Sequence, residues 1–192
     1  MIYDNRGYRK YLTADERQAF VNAAKLLKPE VRTFCLTLAY TGARISEVLA
    51  LTAERVDLGT QMIVLESLKK RRRGVYRAVP VPLDLLNDLA QAHSLQYLQE
   101  GDGTRSHRLW PWCRTTAWNN VKLCMMNAEI SGPWATAKGL RHSFGVNALQ
   151  AGVPLNLLKR WLGHARMSTT EIYAEAVGPE EHAMAARLWT TF

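Results

Sequence analysis

Hydrophobic side chains recur every three or four residues through much of the chain, which is the spacing of one face of an α-helix. Thr13 and Glu16 form a capping-box pattern before the first such stretch, so we expect a helix over about residues 13–28. The segment at 31–42 is apolar almost all round and predicts a buried central helix that ends at Gly42. The first part of the chain therefore predicts helices packed around a common core.

Further segments along the chain carry the same helical pattern. The predicted helices are a short one at 43–51, one that starts at Pro82, three at 115–130, 138–150 and 154–162, a short one that is capped by Ser168 with Glu171 and bears Tyr173, and a last amphipathic one within 178–192. Residues 1–12 are polar and basic and predict a lead-in arm. We expect the six tryptophans to anchor the core or an interface.

The pattern changes to that of β-structure between residues 62 and 81. Met62–Leu65 and Val75–Val81 are β-prone runs that flank a basic turn, and this arrangement predicts an antiparallel hairpin. The turn consists of Lys69, Lys70, Arg71, Arg72, Arg73 and Gly74. No internal repeat and no low-complexity linker interrupts the chain. We therefore predict one domain over residues 1–192, mainly α-helical with one small antiparallel sheet.

The charge of the chain narrows the choice of partners. The formal net charge is +8 and the sequence pI is near 9.6, which favours a polyanionic partner. Cys35, Cys113 and Cys124 are odd in number and widely spaced, so they form neither a disulfide framework nor a zinc pattern. No apolar run approaches the roughly 18 residues that a membrane-spanning helix needs. We therefore expect a soluble protein of the reducing cytoplasm.

Several motifs with basic or nucleophilic residues follow one another along the chain. In chain order they are TGARISEVLAL with Arg44, the basic turn with Lys69 or Lys70, KGLRH with Lys138 and Arg141, WLGH with His164, and STTEIYAEA with Tyr173. In this order and at these separations the motifs resemble the tyrosine recombinase (phage integrase) family over nearly the whole chain. The resemblance implies the catalytic-domain fold of these DNA breaking–rejoining enzymes.

The resemblance also implies that the protein cleaves and rejoins DNA through a covalent bond to Tyr173. Arg44 and Arg141 would hold the scissile phosphate, because guanidiniums bind its non-bridging oxygens through charged bidentate hydrogen bonds. A phenol with a pKa of roughly 10 is a weak nucleophile, so His164 would take its proton or bind the phosphate. A hairpin lysine would protonate the leaving 5′-oxygen. The 3′-phosphotyrosine keeps the energy of the broken ester, so no ATP, metal or other cofactor is expected, and we interpret Glu47 as a structural support for an arginine.

Two features depart from the family's usual pattern. Lys138 stands where most members have a histidine; lysine can donate a charged hydrogen bond to phosphate, but acid–base roles of that histidine do not transfer. The hairpin turn is longer and more basic than usual, so the acid is either Lys69 or Lys70. Successive strand residues face opposite sides, and we favour Lys69 because it directly follows Leu68. The remaining turn residues are expected to bind DNA, namely Lys70, Arg71, Arg72 and Arg73.

Double-stranded DNA is the partner that the resemblance implies. In the family, the helix after the tyrosine docks into a neighbouring protomer, and residues 178–192 would form this helix. The resemblance therefore implies a monomer in solution and a homo-tetramer on two DNA sites. Accessory directionality factors are further candidate partners. Because Arg44 lies close to Met1, we expect no N-terminal domain of the kind that the family usually carries, and the chain would then be similar to single-domain members such as the fimbrial phase-switch invertases, or to an excised catalytic fragment. Two other interpretations stay open: a non-catalytic DNA-binding relative that regulates recombination sites, and a basic interaction protein whose motifs match by accident.

Overall fold

The structure, a computed structural model, describes residues 2–68, 74–100 and 106–174. Within these ranges it is mainly α-helical with one small antiparallel sheet, which confirms the predicted fold class. The helices are α1 (Ala14–Lys25), α2 (Pro29–Thr41), α3 (Ile45–Leu49), α4 (Leu83–His93), α5 (Leu95–Glu100), α6 (Arg114–Asn127), α7 (Ala137–Gln150), α8 (Leu155–Leu162) and α9 (Ser168–Glu171). The strands are β1 (Val56–Asp57), β2 (Met62–Glu66) and β3 (Tyr76–Pro80), and a 3₁₀ turn at Ala53–Arg55 precedes β1.

The first two helices pack against each other and set the frame of the domain. α1 begins as predicted, because the Glu16 N–H donates to the Thr13 hydroxyl and the Thr13 N–H donates to the Glu16 carboxylate. It ends at Lys25 rather than near residue 28. α2 begins at Pro29 and is followed by Gly42, whose left-handed φ of 61° ends the helix. Most side chains of α2 are buried, so it is the central helix that the sequence predicts.

The sheet has the strand order β1–β2–β3, and both pairings are antiparallel. β2 and β3 form the predicted hairpin, with Met62 opposite Pro80 and Glu66 opposite Tyr76. β1 is absent from the sequence prediction, because a strand of two residues is too short to show an alternating pattern. The turn at 69–73 lies outside the described residues.

Two of the predicted helices differ in detail. The helix expected from Pro82 is divided into α4 and α5, because Ser94 adopts a left-handed φ of 51° between them. Ser168 is the first residue of α9 instead of its capping residue, and Tyr173 lies in the turn that follows α9 rather than on it. The helix predicted within 178–192 lies outside the described residues. No described helix is both long and apolar enough to cross a membrane.

The buried side chains of the described residues form two hydrophobic clusters. The larger one fills the space between α1, α2, α4, α6 and the sheet. The buried members of the smaller one are Ile2, Phe144, Val146, Leu158, Leu162 and Tyr173. The Lys10 N–H donates to the Ile2 carbonyl, so the predicted lead-in arm packs against the smaller cluster rather than extending into solvent. Tyr173 thus belongs to the hydrophobic interior, close to the region where chemistry is predicted.

The tryptophans occupy different environments. Trp110 is a core anchor, as expected: it is buried, its Nε1 donates to the Glu30 carbonyl at 2.8 Å, and its ring meets Phe34 edge to face. Trp118 on α6 is 48% exposed and therefore packs outside the core. Trp189 lies outside the described residues.

Candidate active site

Arg44 lies at the start of α3, directly after the turn that ends α2. Glycine at residue 42 lets α7 pack closely against this turn, because a Cβ there would lie 2.6 Å from Cδ1 of Phe144. The Arg44 backbone N–H donates to Glu47 Oε2 at 2.9 Å, and Arg44 Nη1 donates to Glu47 Oε1 at 2.7 Å. The Glu47 side chain is fully buried, whereas 28% of the Arg44 side chain is exposed. Glu47 therefore holds the arginine in place, in agreement with its interpretation as a structural support.

Arg141 lies on α7 and connects the ends of two other helices. Its Nη1 donates to the Gly42 carbonyl and its Nη2 to the Leu162 carbonyl, both at 2.7 Å. Nη1 also lies 3.9 Å from Glu47 Oε2. Only 9% of the side chain is exposed, so Arg141 is a buried residue. Burial, followed by the charge of Arg44, lowers the pKa of Arg141 to about 10, and the guanidinium therefore stays charged at neutral pH.

A third arginine, which the sequence motifs do not include, is buried beside these two. Arg77 lies on β3, and its Nη2 donates to Glu47 Oε2 at 2.7 Å. Burial raises the pKa of the Glu47 carboxyl, but the charges and hydrogen bonds of Arg77 and Arg44 outweigh it and lower the pKa below its ordinary value. The sequence carries a signal for Arg77, because Arg77 and Val79 are two positions apart and therefore lie on the same, buried face of β3. An arginine at such a position needs an ionic partner inside the fold.

His164 follows Gly163, which ends α8 with a left-handed φ of 65°. Its Nδ1 lies 2.9 Å from the hydroxyl of the buried Thr170, and this hydrogen bond fixes the orientation of the ring. Burial, followed by the charges of Arg141 and Arg44, lowers the pKa of His164 to about 3. The imidazole is therefore neutral at neutral pH, and one of its two ring nitrogens can accept a proton.

The ring of Tyr173 lies near the rings of two histidines. Its ring centroid is 6.3 Å from that of His164, at an interplanar angle of 15°, and 5.7 Å from that of His142, at 59°. Gly145 on α7 leaves room for the tyrosine, since a Cβ at residue 145 would lie 2.7 Å from Tyr173 Cε2. Burial raises the phenol pKa against the lowering effect of Arg141. The phenol is therefore neutral at neutral pH and needs a proton acceptor before it can act as a nucleophile.

His142 is a second histidine at the site, and the family resemblance implies no role for it. Its pKa is lowered to about 4 by burial and then by the charges of Lys138 and Arg141, so its ring is also neutral. Its Nδ1 is buried without a hydrogen-bond partner among the described residues. The signal for His142 in the sequence is its position directly after Arg141, but adjacency alone did not show that the ring faces Tyr173.

The predicted site residues within the described ranges meet at one cleft of about 680 Å³. They are Arg44, Lys138, Arg141, His164 and Tyr173, and the same cleft is lined by Arg114, Trp118 and His142. Lys138 is exposed at the start of α7. The predicted acid and the predicted DNA-binding residues of the hairpin lie outside the described residues, namely Lys69, Lys70, Arg71, Arg72 and Arg73. The cleft therefore gathers residues from the α2–α3 turn, from α7, and from the turns on either side of α9.

Positive charge dominates the cleft together with the buried side chains next to it. Arg44, Arg77 and Arg141 surround the single carboxylate of Glu47, so three guanidiniums and one carboxylate leave a net charge of +2. Lys138 adds an exposed ammonium. Fixed positive charge of this kind binds an anion and stabilises the additional negative charge of a transition state. Among the described residues, no group of three or more His, Cys, Asp or Glu side chains is arranged to hold a metal ion.

Comparison with known proteins gives the family. Residues 10–178 match the sequence model of the phage integrase family. The chain is 28% identical over 175 residues to the tyrosine recombinase XerA of Thermococcus kodakarensis, and the match covers 88% of this chain and 59% of that protein. The chain therefore belongs to the phage integrase family, as its motifs predict.

Solved structures of tyrosine recombinases share the fold. The structure of the XerH site-specific recombinase bound to palindromic difH substrate, a post-cleavage complex, matches with a TM-score of 0.77 and 21% identity, over 94% of this chain and 53% of that chain. The catalytic domain of bacteriophage HP1 integrase matches with a TM-score of 0.61 and 22% identity, over 92% of this chain and 93% of that chain. The described residues thus have the fold of a tyrosine recombinase catalytic domain.

Proposed function

We propose that this protein is a site-specific recombinase that cleaves and rejoins double-stranded DNA through a covalent bond between Tyr173 and a 3′-phosphate. The observation that carries the proposal is the presence of Tyr173 in the same basic cleft as Arg44, Arg141 and His164. A phenol, two guanidiniums and a neutral imidazole together meet the chemical needs of phosphodiester cleavage. Membership of the phage integrase family supports the same activity.

In this proposal the two arginines bind the non-bridging oxygens of the scissile phosphate. Arg141 uses two of its five N–H donors for the carbonyls of Gly42 and Leu162, which leaves three donors. Arg44 is held by Glu47 through Nη1 and exposes the rest of its guanidinium to the cleft. Because both charges are fixed before DNA arrives, they stabilise the transition state without reorganisation.

The reaction then proceeds by exchange of one phosphate ester for another. The Tyr173 oxygen attacks the phosphorus, the bond from phosphorus to the 5′-oxygen breaks, and the phenol proton moves to His164. A bound phosphate places negative charge near His164, which raises its pKa and makes it a better proton acceptor than in the free protein. The proton for the leaving 5′-oxygen comes from Lys69, with Lys70 as the alternative. Attack of a 5′-hydroxyl on the phosphotyrosine reverses these steps, so rejoining needs no ATP, metal or other cofactor.

Further basic residues would bind the DNA around the scissile phosphate. Lys138 lines the cleft and would donate a charged hydrogen bond to a phosphate oxygen. Lys70, Arg71, Arg72 and Arg73 would contact the sugar–phosphate backbone, so affinity should fall with added salt. The Tn1549 transposon integrase, a structural relative, was solved in complex with transposon right end DNA, which supports DNA as the partner.

The assembly would be a monomer in solution and a homo-tetramer on two DNA sites, with residues 178–192 docking into a neighbouring protomer. In this arrangement residues 1–192 form one catalytic domain, and accessory directionality factors would act on the assembled complex. The chain spans 59% of the length of the XerA relative. The activity proposed here is therefore that of the catalytic domain.

The experiment that tests the proposal captures the covalent intermediate. The protein is incubated with a pool of random-sequence duplexes that each carry a central nick, and complexes that survive denaturation with detergent are isolated and sequenced. We expect adducts enriched in one sequence, and none from Tyr173→Phe. Sequence-specific binding without an adduct would instead identify a non-catalytic DNA-binding relative. Binding without any sequence preference and without an adduct would contradict the proposed site-specific recombination.

A further inference from the structure

We propose that Arg77 is a positioning residue of the recombination reaction, which holds His164 and the phosphate-binding arginines in their reactive arrangement through the Trp161 carbonyl and the Glu47 carboxylate. This inference rests on the proposed function, because it concerns the same cleft. Arg77 does not line that cleft, so it acts through the residues that do.

The three nitrogens of the Arg77 guanidinium bond to three separate parts of the fold. Nε donates to the Trp161 carbonyl at 2.6 Å, Nη1 donates to the Ser67 hydroxyl at 3.1 Å, and Nη2 donates to Glu47 Oε2 at 2.7 Å. Trp161 belongs to α8, Ser67 follows β2, and Glu47 belongs to α3. With only 4% of its side chain exposed, Arg77 is an internal connector between the hairpin stem and two elements of the site.

The hydrogen bond to the Trp161 carbonyl determines the position of the backbone that leads to His164. The last carbonyls of a helix have no partner within the helix, so their partners determine how the helix ends. At the end of α8, Arg77 binds the Trp161 carbonyl and Arg141 binds the next one, that of Leu162. His164 follows these carbonyls after a single residue. Two buried arginines therefore fix the backbone from which the histidine projects.

Close packing at Gly163 restricts the movement of the turn between α8 and His164 relative to Arg77. A Cβ at residue 163 would lie 2.9 Å from Ser67 Oγ and 3.1 Å from Arg77 Cδ, and Gly163 has a left-handed φ of 65°. The turn before His164 is thus in direct contact with the hairpin stem. A change in the Arg77 side chain would be transmitted to His164 across this contact.

The bond to Glu47 sets the charge that the cleft offers to a phosphate. Glu47 Oε1 accepts from Arg44, and Glu47 Oε2 accepts from Arg77. If Arg77 were absent, Arg44 and Arg141 alone would face the buried carboxylate, and the net charge of this group would fall from +2 to +1. A buried carboxylate that loses one cationic partner attracts its remaining cationic partners more strongly. Arg77 thereby leaves Arg44 and Arg141 available for the substrate.

A lysine could not make the same set of contacts. The planar guanidinium directs donors along three fixed directions, whereas an ammonium is a point charge at the end of a flexible chain. Arg77→Lys therefore keeps the positive charge beside Glu47 but loses at least one of the bonds to Ser67 and Trp161. Arg77→Met removes the charge and all three bonds while retaining a chain that fills the space.

The test compares both variants with wild type on the duplex recovered from the covalent-adduct selection. Binding is measured by equilibrium titration and cleavage by single-turnover adduct formation. Both measurements are made at a temperature well below the melting temperature of the variant. We expect cleavage to be slower by about 10-fold in Arg77→Lys and by about 100-fold in Arg77→Met, with binding changed by less than about threefold, because small displacements of catalytic groups cost about this much. A residue needed only for folding would not separate cleavage from binding in this way.

Arg55→Met is the matched control. Arg55 lies near the same sheet and is partly buried, with Nη1 at 3.5 Å from Glu66 Oε2 and Nη2 donating to the Tyr76 hydroxyl at 3.2 Å. It does not line the cleft, so its loss removes an arginine–glutamate pair without touching the site. We expect wild-type cleavage from this variant.

A second readout follows the His164 ring directly by NMR and needs no activity. The groups that lower the His164 pKa are, after burial, Arg141, Arg44, Arg77 and His142. We expect the His164 ring resonances to move and its pKa to rise in Arg77→Met, and neither to change in Arg55→Met. This readout separates the two proposals, because an inactive wild type would reject the proposed function while the ring still reports on Arg77.

The proposal is overturned if Arg77→Lys folds and cleaves within about threefold of wild type, or if Arg77→Met leaves the His164 resonances unchanged. Equal losses of binding and cleavage would also reject it, since they indicate general damage to the fold. If neither variant folds, Arg77 is a residue of the fold rather than of the reaction, and the proposal is rejected on that ground.

Discussion

Tyr173 rests its ring on Gly145 of α7, so closely that a Cβ at residue 145 would lie 2.7 Å from Cε2 of the tyrosine. Alanine favours a helix over glycine by about 1 kcal/mol, so Gly145→Ala should leave α7 intact while it displaces the phenol. We predict cleavage about 100-fold slower, because the nucleophile moves out of line with the phosphorus. Adduct formation in single turnover measures the loss, and DNA affinity should be nearly unchanged.

Gly59→Ala is the control for this substitution. A Cβ at residue 59 would meet only Asp57 Oδ1, at an ordinary distance of 3.5 Å, and no positive φ is required there. This variant should cleave like wild type. Normal cleavage by Gly145→Ala would mean that the tyrosine ring leaves Gly145 before the reaction, and would contradict the prediction that this contact positions the phenol.

Loss of the partly exposed Arg44 should affect the rate of cleavage more than the affinity for DNA. Arg44→Ala removes a guanidinium that Glu47 holds at the cleft, while Arg141 and the surface cations remain. We predict a cleavage rate lower by about 100- to 1,000-fold, the range found when one preorganised donor to a transition-state oxyanion is removed. Parallel measurements of adduct formation and DNA affinity check the prediction.

Arg32→Ala supplies the comparison for Arg44→Ala. Arg32 pairs with Asp88 at 3.3 Å between α2 and α4, away from the cleft. Its removal lowers the net charge by the same amount and should leave cleavage unchanged. If both variants lost cleavage and binding in equal proportion, Arg44 would be a general DNA contact instead of part of a phosphate clamp.

The two histidines beside Tyr173 should make stability depend on pH. Burial is the main cause that lowers the pKa of His142 to about 4 and that of His164 to about 3. In the unfolded chain both titrate near about 6.5, so below that pH the unfolded state binds more protons than the folded state. The free energy of unfolding should therefore be fully retained above about pH 6.5 and fall as the pH drops towards 4.

Urea unfolding at several pH values between about 7 and 5 measures this effect, since carboxylates titrate mostly below that window. His142→Gln should show a shallower decline than wild type, because one of the two groups no longer takes up a proton on unfolding. His107→Gln, which changes an exposed histidine, should decline like wild type. An identical slope in all three proteins would show that His142 titrates alike in the folded and unfolded states.

The sequence predicted the parts of this molecule that depend on neighbouring residues. The capping box at Thr13, the left-handed glycine after α2 and the β2–β3 hairpin are local patterns, and the structure contains each of them. The site motifs were also recognisable, because each functional side chain belongs to a short motif of neighbouring residues, such as a turn that contains a glycine or a single turn of helix. The break at Ser94 lacked such a signal, since a serine with positive φ leaves no mark on the hydrophobic pattern.

The supporting contacts of the site could not be predicted, because they join residues that are far apart in sequence. Arg77 reaches Trp161 across 84 positions and Glu47 across 30. A buried arginine on an alternating strand predicts that an ionic partner exists, but only the folded chain shows which one. The same holds for Tyr173, whose burial against Gly145 depends on how the turn after α9 packs on α7.

Arg141 finds its two short hydrogen bonds on main-chain oxygens, those of Gly42 and Leu162. A main-chain oxygen is present whatever amino acid occupies the position, so residue 162 can drift among apolar side chains without breaking the bond. Loss of Arg141, in contrast, leaves two buried carbonyls without this hydrogen-bond donor. Tolerance to substitution is therefore one-sided at this junction: residue 162 can change among apolar side chains, whereas Arg141 cannot be replaced without loss of both bonds.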